Sequence, residues 1–405
     1  MNNENYSVAI ACGGTGGHLF PGLAVASRLA QRGCDITLLI SPKEVDQRAV
    51  KSVRGMRIVT LPAVGLQRGS RLAFLKGIHD SYRAASNFFS QHPPDAALAM
   101  GGFTSAPPIL AARKHRARTF LHESNTIPGK ANRWLARVVD RAFVGFPSAA
   151  ARLRNNRITV TGTPVRPGFQ PRDAGACRSA LGLDPVRPVV LVVGGSQGAS
   201  GINNLIIEAL PQLAKQAPDW QWLHLAGSQD EPRVRAAYEA AGLRAVVHGF
   251  FDDMELALGA ATAAVSRAGA SSLSEMAAMR VPSILVPYPA ATDDHQLYNA
   301  RAFVQTGAAR LLEQSDSTPD KLCPVLIDLV RNWTSRELMQ KALEKWQTPH
   351  AAEQIAETIF EALRIRPASA SRAKTSRPLV HALAGFRRSN LESESTSAMT
   401  EEVSL

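Results

Sequence analysis

Four times along the chain a short apolar run ends in small, glycine-rich residues and then gives way to helical spacing. Ser7–Cys12 runs into Gly13-Gly14-Thr15-Gly16-Gly17-His18, and Ala96–Met100 into Gly101-Gly102-Phe103-Thr104-Ser105. Pro188–Val193 runs into Gly194-Gly195-Ser196-Gln197-Gly198-Ala199, and Ala260–Val265 into Arg267-Ala268-Gly269-Ala270. The runs are apolar throughout instead of alternating, which suits strands buried on both faces. Small residues at their ends let the backbone turn tightly into a helix. The pattern therefore predicts doubly wound parallel sheets, in which ligands bind beyond the carboxyl ends of the strands.

The pattern restarts at Pro188, and 405 residues are enough for two domains with separate cores. Further strands are expected at Asp35–Ile40, Arg57–Val64, Thr119–His122, Arg141–Gly145 and Thr159–Val160, then at Trp222–Ala226, Ala245–Val247 and Ala308–Leu312. Thr161-Gly162-Thr163-Pro164-Val165-Arg166-Pro167-Gly168 continues neither period and reads as the linker. The expected domains are 1–163 and 164–350, closed by an amphipathic helix at 351–365. Residues 364–390 carry seven basic side chains and no acidic one, while 391–405 carry four acidic ones. With no periodicity, 366–405 is expected to be a disordered tail.

A net charge of +12 favours an anionic partner. Aromatics at 6% with no interleaved aromatic–basic motif argue against nucleic acid. Cys12, Cys34, Cys177 and Cys323 are scattered without metal-ligand spacing, as in a reduced, cytosolic protein. Val8–Cys12 is too short for a signal-peptide core, and no run is long enough to span a bilayer. Between Leu66 and Arg83, apolar Leu66, Leu72, Phe74, Leu75 and Ile78 mix with basic Arg68, Arg71, Lys76 and Arg83. Such a mixture suits a surface resting on anionic lipid, or an ordinary helix with a solvated basic face.

Chemistry concentrates in Val265–Arg301. Ser271, Ser272 or Ser274 is placed to cap the helix after Gly269, whose N-terminus attracts phosphate. Glu275, one turn in, is placed to accept from sugar hydroxyls, or simply to complement the helix dipole. The pair Asp293-Asp294 is read as loop, because two adjacent carboxylates do not make a metal site. At the first glycine turn, His18 stands at the mouth of a phosphate-sized loop, suited to proton transfer or to capping. Arg166 in the linker is in reach of a phosphate, and Gly249-Phe250-Phe251 of a base.

GGTGGHLFPGLAVA at 13–26, GGFTSAPP at 101–108, HESNTIPGKANRWLA at 122–136, TGTPVR at 161–166, GGSQGASGINN at 194–204 and SRAGASSLSEMAA at 266–278 together resemble the MurG family. These are the UDP-N-acetylglucosamine:undecaprenyl-diphospho-muramoylpentapeptide N-acetylglucosaminyltransferases. The motifs stand in the family's order over roughly the first 360 residues. The resemblance implies a GT-B fold and an inverting, metal-independent transfer of N-acetylglucosamine to the muramoyl 4-hydroxyl of lipid I, giving lipid II and UDP, with no cofactor. It places the enzyme peripherally on the cytoplasmic side of the bacterial membrane, with anionic inner-leaflet phospholipid and other cell-wall enzymes as further partners.

The same resemblance assigns the donor to Ser196, Gln197, Gly198, Arg166, Arg267, Gly269, Glu275, His295 and Gln296, joined from the first half by Thr15, Gly16, Gly17 and Asn125. It assigns the acceptor to Gly13, Gly14, His18, Gly101, Gly102, Phe103 and Thr104. Inversion needs a base across the cleft from the donor, which selects His18, with Glu123 as the second candidate. Thr163, Ser124 and Phe103 depart from the family's usual Asn, Gln and hydroxylated aromatic. Each is expected to weaken one hydrogen bond, about 0.5–1.5 kcal/mol net. Two other functions fit the chain: a GT-B enzyme with another UDP-sugar or a diacylglycerol acceptor, and a membrane-bound scaffold without turnover. Loss of transfer with donor binding retained would mark the scaffold.

Overall fold

A computed structural model describes residues 5–51, 53–62, 71–195 and 198–365. The first half holds seven strands: β1 (Ser7–Ala11), β2 (Asp35–Ile40), β3 (Arg57–Thr60), β4 (Ala96–Ala99), β5 (Arg118–Glu123), β6 (Arg141–Val144) and β7 (Ile158–Val160). The second holds six: β8 (Val189–Val193), β9 (Gln221–Leu225), β10 (Arg244–His248), β11 (Ala263–Ser266), β12 (Ser283–Leu285) and β13 (Arg310–Leu311). Each set forms one parallel sheet, ordered β3-β2-β1-β4-β5-β6-β7 and β10-β9-β8-β11-β12-β13. The register places Val8 beside Ile36 on one side and Ala96 on the other. Central strands β1, β4, β8 and β11 are buried almost throughout, which explains their unbroken apolar runs.

The strand order reverses between β1 and β4 in one sheet and between β8 and β11 in the other. The four glycine-rich turns follow those four strands, so each reversal opens a crevice flanked by two of them. The expected strands are present with ends shifted by one to three residues, except that β3 stops at Thr60 and β13 is reduced to two residues.

One element starts earlier than the sequence reading places it. In the sequence, Pro21-Gly22 after the glycine turn predicts a first helix from about Leu23, but that helix spans Gly16–Gln31 and contains Pro21. Proline cannot donate to the carbonyl four residues back, that of Gly17. This carbonyl instead accepts the hydroxyl of Ser271, from the second half, at 2.9 Å. The last helix, Ala351–Arg364, returns to the first half. Ile355, Ala356, Ile359 and Leu363 are buried in one cluster with Val8, Ile10, Leu29 and Leu38. Tyr6 packs edge-on against Phe360, and Glu353 meets Arg32 and Arg28. Full burial of each large aliphatic side chain contributes about 1.5–3 kcal/mol, so this apolar stripe outweighs the ion pairs beside it.

Residues 63–70 of the basic, apolar stretch, and the expected tail 366–405, lie outside the described residues. The four cysteines are buried and unpaired with one another.

Candidate active site

A cavity of about 1040 Å³ opens between the two crevices and is lined from both halves of the chain. From the first half come Thr15, Gly16, Gly17 and His18 at the start of the helix Gly16–Gln31, with Gly102, Phe103, Asn125 and the linker's Arg166. Facing them are Gly195, Phe250, Phe251, Gly269, Ser271, Ser272, Glu275, His295 and Gln296. Gly13, Gly14, Gly101, Thr104, Gly198 and Arg267 are not on the wall, and Ser196 and Gln197 lie outside the described residues.

His18 is wedged against the second glycine loop. A Cβ on Gly101 would stand 3.0 Å from its Cδ2 and Nε2, and one on Gly102 would stand 3.1 Å from its Cε1. Both glycines also have positive φ, so only glycine fits there without strain. Thr104 Oγ1 donates to the Gly13 carbonyl at 2.7 Å and ties the two loops together. Thr15 Oγ1 lies 3.2 Å from His18 Nδ1. With Nδ1–H donating to that hydroxyl, Nε2 carries the lone pair. Burial lowers the His18 pKa to about 4, Asp46 opposes that shift, and His295 and Lys43 add to it. Burial therefore favours the neutral form of the imidazole.

Glu123 is differently placed. Its Oε1 accepts from the backbone and side-chain N–H groups of Asn125 at 2.9 and 3.0 Å. Its Oε2 accepts from Gly129 N and Asn132 Nδ2 at 3.0 and 2.7 Å. Burial raises its pKa against these donors, and the four bonds fill its acceptor capacity, which suits holding the 123–129 turn better than removing a proton. Of the three departures, Ser124 Oγ donates to Nδ1 of buried His122, whose Nε2–H bonds the Gly162 carbonyl at 3.0 Å. Thr163 Oγ1 is buried without a hydrogen-bond partner among the described residues, and Phe103 packs edge-on against Phe74.

On the opposite wall the helix Ala270–Met279 begins at Gly269 with no side-chain cap. None of the three serines caps it: Ser271 reaches across to Gly17, and Ser274 bonds back to the Ala270 carbonyl at 3.0 Å. Its first N–H groups thus remain available at the cavity. Burial raises Glu275 to about 7, with Arg166 opposing and Glu255 reinforcing. Arg166 lies over the rings of Phe20 and Phe169, 3.4 Å from Glu255, and its Nε is buried without a hydrogen-bond partner among the described residues. Arg267 is turned away, donating to the carbonyls of Val286 and Pro287 and to Gln314 Oε1. Gln296 Oε1 accepts from the backbones of Ala268 and Tyr288, leaving its amide nitrogen for a ligand, and His295 Nδ1–H donates to the Thr292 carbonyl. Asp293 pairs with Arg133 of the first half, and both Asp293 and Asp294 have positive φ.

Two residues without any sequence signal organise these walls. Asp46 sits under the first glycine loop, accepting from Gly14 N. Asn299, completely buried, accepts from the N–H and hydroxyl of Thr126 at 2.9 Å each and donates to Asn125 Oδ1 and the Ala268 carbonyl. Neither belongs to a periodic or glycine-rich pattern.

Residues 8–144 match the glycosyltransferase family 28 N-terminal domain and 189–355 its C-terminal domain. A UDP-N-acetylglucosamine--N-acetylmuramyl-(pentapeptide) pyrophosphoryl-undecaprenol N-acetylglucosamine transferase of Anaeromyxobacter sp. (strain Fw109-5) is 35% identical, over 88% of this chain and 93% of its own. The enzyme of that name from Xanthomonas euvesicatoria pv. vesicatoria (strain 85-10) is 39% identical, over 87% and 80%. The crystal structure of Acinetobacter baumannii MurG superposes with a TM-score of 0.68 at 28% identity, over 88% of this chain and 99% of that one. A kitacinnamycin glycosyltransferase, at 19% identity and TM-score 0.65, shares the fold alone. Two doubly wound sheets facing one cleft are the GT-B fold, and with both family 28 domains present in order the chain belongs to the MurG family of glycosyltransferases.

Proposed function

We propose that this chain transfers N-acetylglucosamine from UDP-N-acetylglucosamine to the 4-hydroxyl of the muramoyl sugar of lipid I, forming lipid II and UDP in peptidoglycan synthesis. The observation that carries the reading is the division of one cavity. A neutral histidine projects from the first half, while an uncapped helix N-terminus, Glu275 and the linker's Arg166 stand on the other side. The acceptor hydroxyl attacks the anomeric carbon from the His18 side. Its proton passes to Nε2 as the bond to the diphosphate oxygen breaks, and the sugar inverts. The departing charge of UDP meets the N–H groups at Gly269–Ser272 and the guanidinium of Arg166, without a divalent metal. Glu275 accepts from the ribose, and His295 and Gln296 contact the sugar.

Leu72 and Leu75 are exposed on the helix Arg71–Gln91, whose Phe74 packs edge-on against Phe103 at the cavity, with Lys76 on the same helix. This is the face proposed to rest on the anionic inner leaflet, bringing a lipid-linked acceptor to the cavity mouth. Loss of sedimentation with anionic vesicles on Leu72→Ser/Leu75→Ser would support that contact, and retained sedimentation would refute it.

The activity is tested by transfer of labelled N-acetylglucosamine to a lipid I analogue in the presence of EDTA. Product is expected from the unaltered enzyme, and His18→Ala should lower kcat by roughly 10²–10⁴. Transfer abolished by EDTA would remove metal independence. No transfer from a chain that still binds the donor would send the reading to another acceptor or to the scaffold.

A further inference from the structure

Asp46 belongs to the short helix Glu44–Ala49, behind the loop that carries His18, and it is completely buried. Its Oδ2 accepts the N–H of Gly14 at 2.7 Å, the N–H of Ser41 at 3.1 Å and the hydroxyl of Ser41 at 2.6 Å. Its Oδ1 has no hydrogen-bond partner among the described residues. Lys43 Nζ donates to the carbonyl of Gly14 at 2.9 Å. Both polar backbone groups of Gly14 are therefore held by the segment that follows β2. A loop that served only to bind an anion would keep its N–H groups for the ligand, whereas this one turns an N–H inward onto a carboxylate. A buried carboxylate with an unpartnered oxygen is costly, and its charge acts strongly on whatever lies near.

We propose that Asp46 is a positioning residue for the transfer, holding the Gly13–His18 loop from behind and setting a fixed negative charge against the imidazole of His18. The proposal rests on His18 being the base. The other influences on that ring disfavour its cation: burial first, then His295 from the second half and Lys43 beside the loop, while buried His122 on β5 is itself held low by burial. Asp46 is the neighbour that favours the cation. During transfer the acceptor O–H bond breaks and its proton joins Nε2. The new C1–O bond forms as the bond from C1 to the diphosphate breaks, with that electron pair leaving on UDP. The imidazolium exists only from the transition state onward, so a charge that stabilises it lowers the barrier without tightening substrate binding.

The test compares Asp46→Asn with the unaltered full chain. The asparagine oxygen can still accept from Gly14 and Ser41, while the charge is lost. The His18 titration is followed by NMR, and kcat and KM are measured across pH. The His18 midpoint is expected to move to lower pH, with the acid limb of kcat moving alongside. At neutral pH kcat should fall on the order of tenfold, a part of the 10²–10⁴ a general base supplies, with KM for either substrate little changed. In a His18→Ala background Asp46→Asn should add no further loss. Asp46→Ser serves the same comparison should the asparagine variant not fold. An unmoved midpoint overturns the proposal whatever the rate does. A moved midpoint with unchanged kcat, in an enzyme that His18→Ala disables, overturns the role of Asp46 and leaves His18 as base. A His18→Ala variant with nearly full activity overturns the base assignment, and this proposal with it.

Discussion

Glu275 stands one turn into the helix Ala270–Met279 with a pKa raised to about 7 by burial, against the pull of Arg166 and with Glu255 adding to the rise. Near neutral pH it is divided between two forms, and only the ionised one accepts fully from both hydroxyls of a ribose. KM for the donor is therefore expected to rise as pH falls below about 7. Glu275→Gln should raise KM by roughly tenfold or more at high pH, as a charge-assisted hydrogen bond of about 1.5–3 kcal/mol is weakened, and should flatten its pH dependence. Initial rates across that range check both statements, and an unchanged profile in the variant would refute them. In the free protein the folded pKa lies above the ordinary carboxyl value of 4.5, so the folded state holds the extra proton between the two. The stability this carboxyl contributes is present below about 4.5 and is lost as pH rises through about 7. His18 has the opposite sign: its pKa is lowered from 6.5 to about 4, so its contribution is present above about 6.5 and declines as pH falls through about 4.

Among the elements, Asn299 on the helix His295–Gln305 joins the two walls by filling both donor and both acceptor positions of one buried amide. Asn299→Ala leaves Thr126 N–H and the Asn125 side chain without that partner. The expected cost is about 1–3 kcal/mol of stability, with a fall in kcat/KM because Asn125 loses its fixed orientation. Thermal unfolding and steady-state rates measure the two effects, and a variant equal to the unaltered enzyme in both would contradict the account. The glycine-rich turns were readable because each combines a period change with residues that a close approach requires, as Gly101 against His18 shows. Asn299 and Asp46 were not, since a lone buried polar residue carries no period, and its partners lie elsewhere in the chain. Arg267 was assigned to the donor by the family resemblance alone, and no pattern in the sequence shows the backbone carbonyls of Val286 and Pro287 that surround its guanidinium. The helix start at Gly16 was hidden by Pro21, whose missing donor is matched by a hydroxyl from the other half.

For the molecule as a whole, the helix Ala351–Arg364 decides which residues complete which core. Its amphipathic spacing was evident in the sequence, but an apolar stripe does not say which sheet it covers. Ile359→Ala, at a fully buried position in the first half's cluster, is expected to cost about 2–5 kcal/mol. Arg28→Ala, which removes one partly exposed partner of Glu353, should cost about 0–1 kcal/mol. Denaturant unfolding ranks the pair, and an equal or reversed ranking would refute the packing argument. The arrangement also bears on the order of synthesis. The ribosome makes β1 and β2 first, but the side chains that cover one face of them come from 351–364, about 300 residues later. The earlier-made half must wait with that face open while the later-made half folds. The cleft is thus assembled around a domain whose last piece arrives after its partner is built, which makes those apolar residues the place where a chaperone has something to hold.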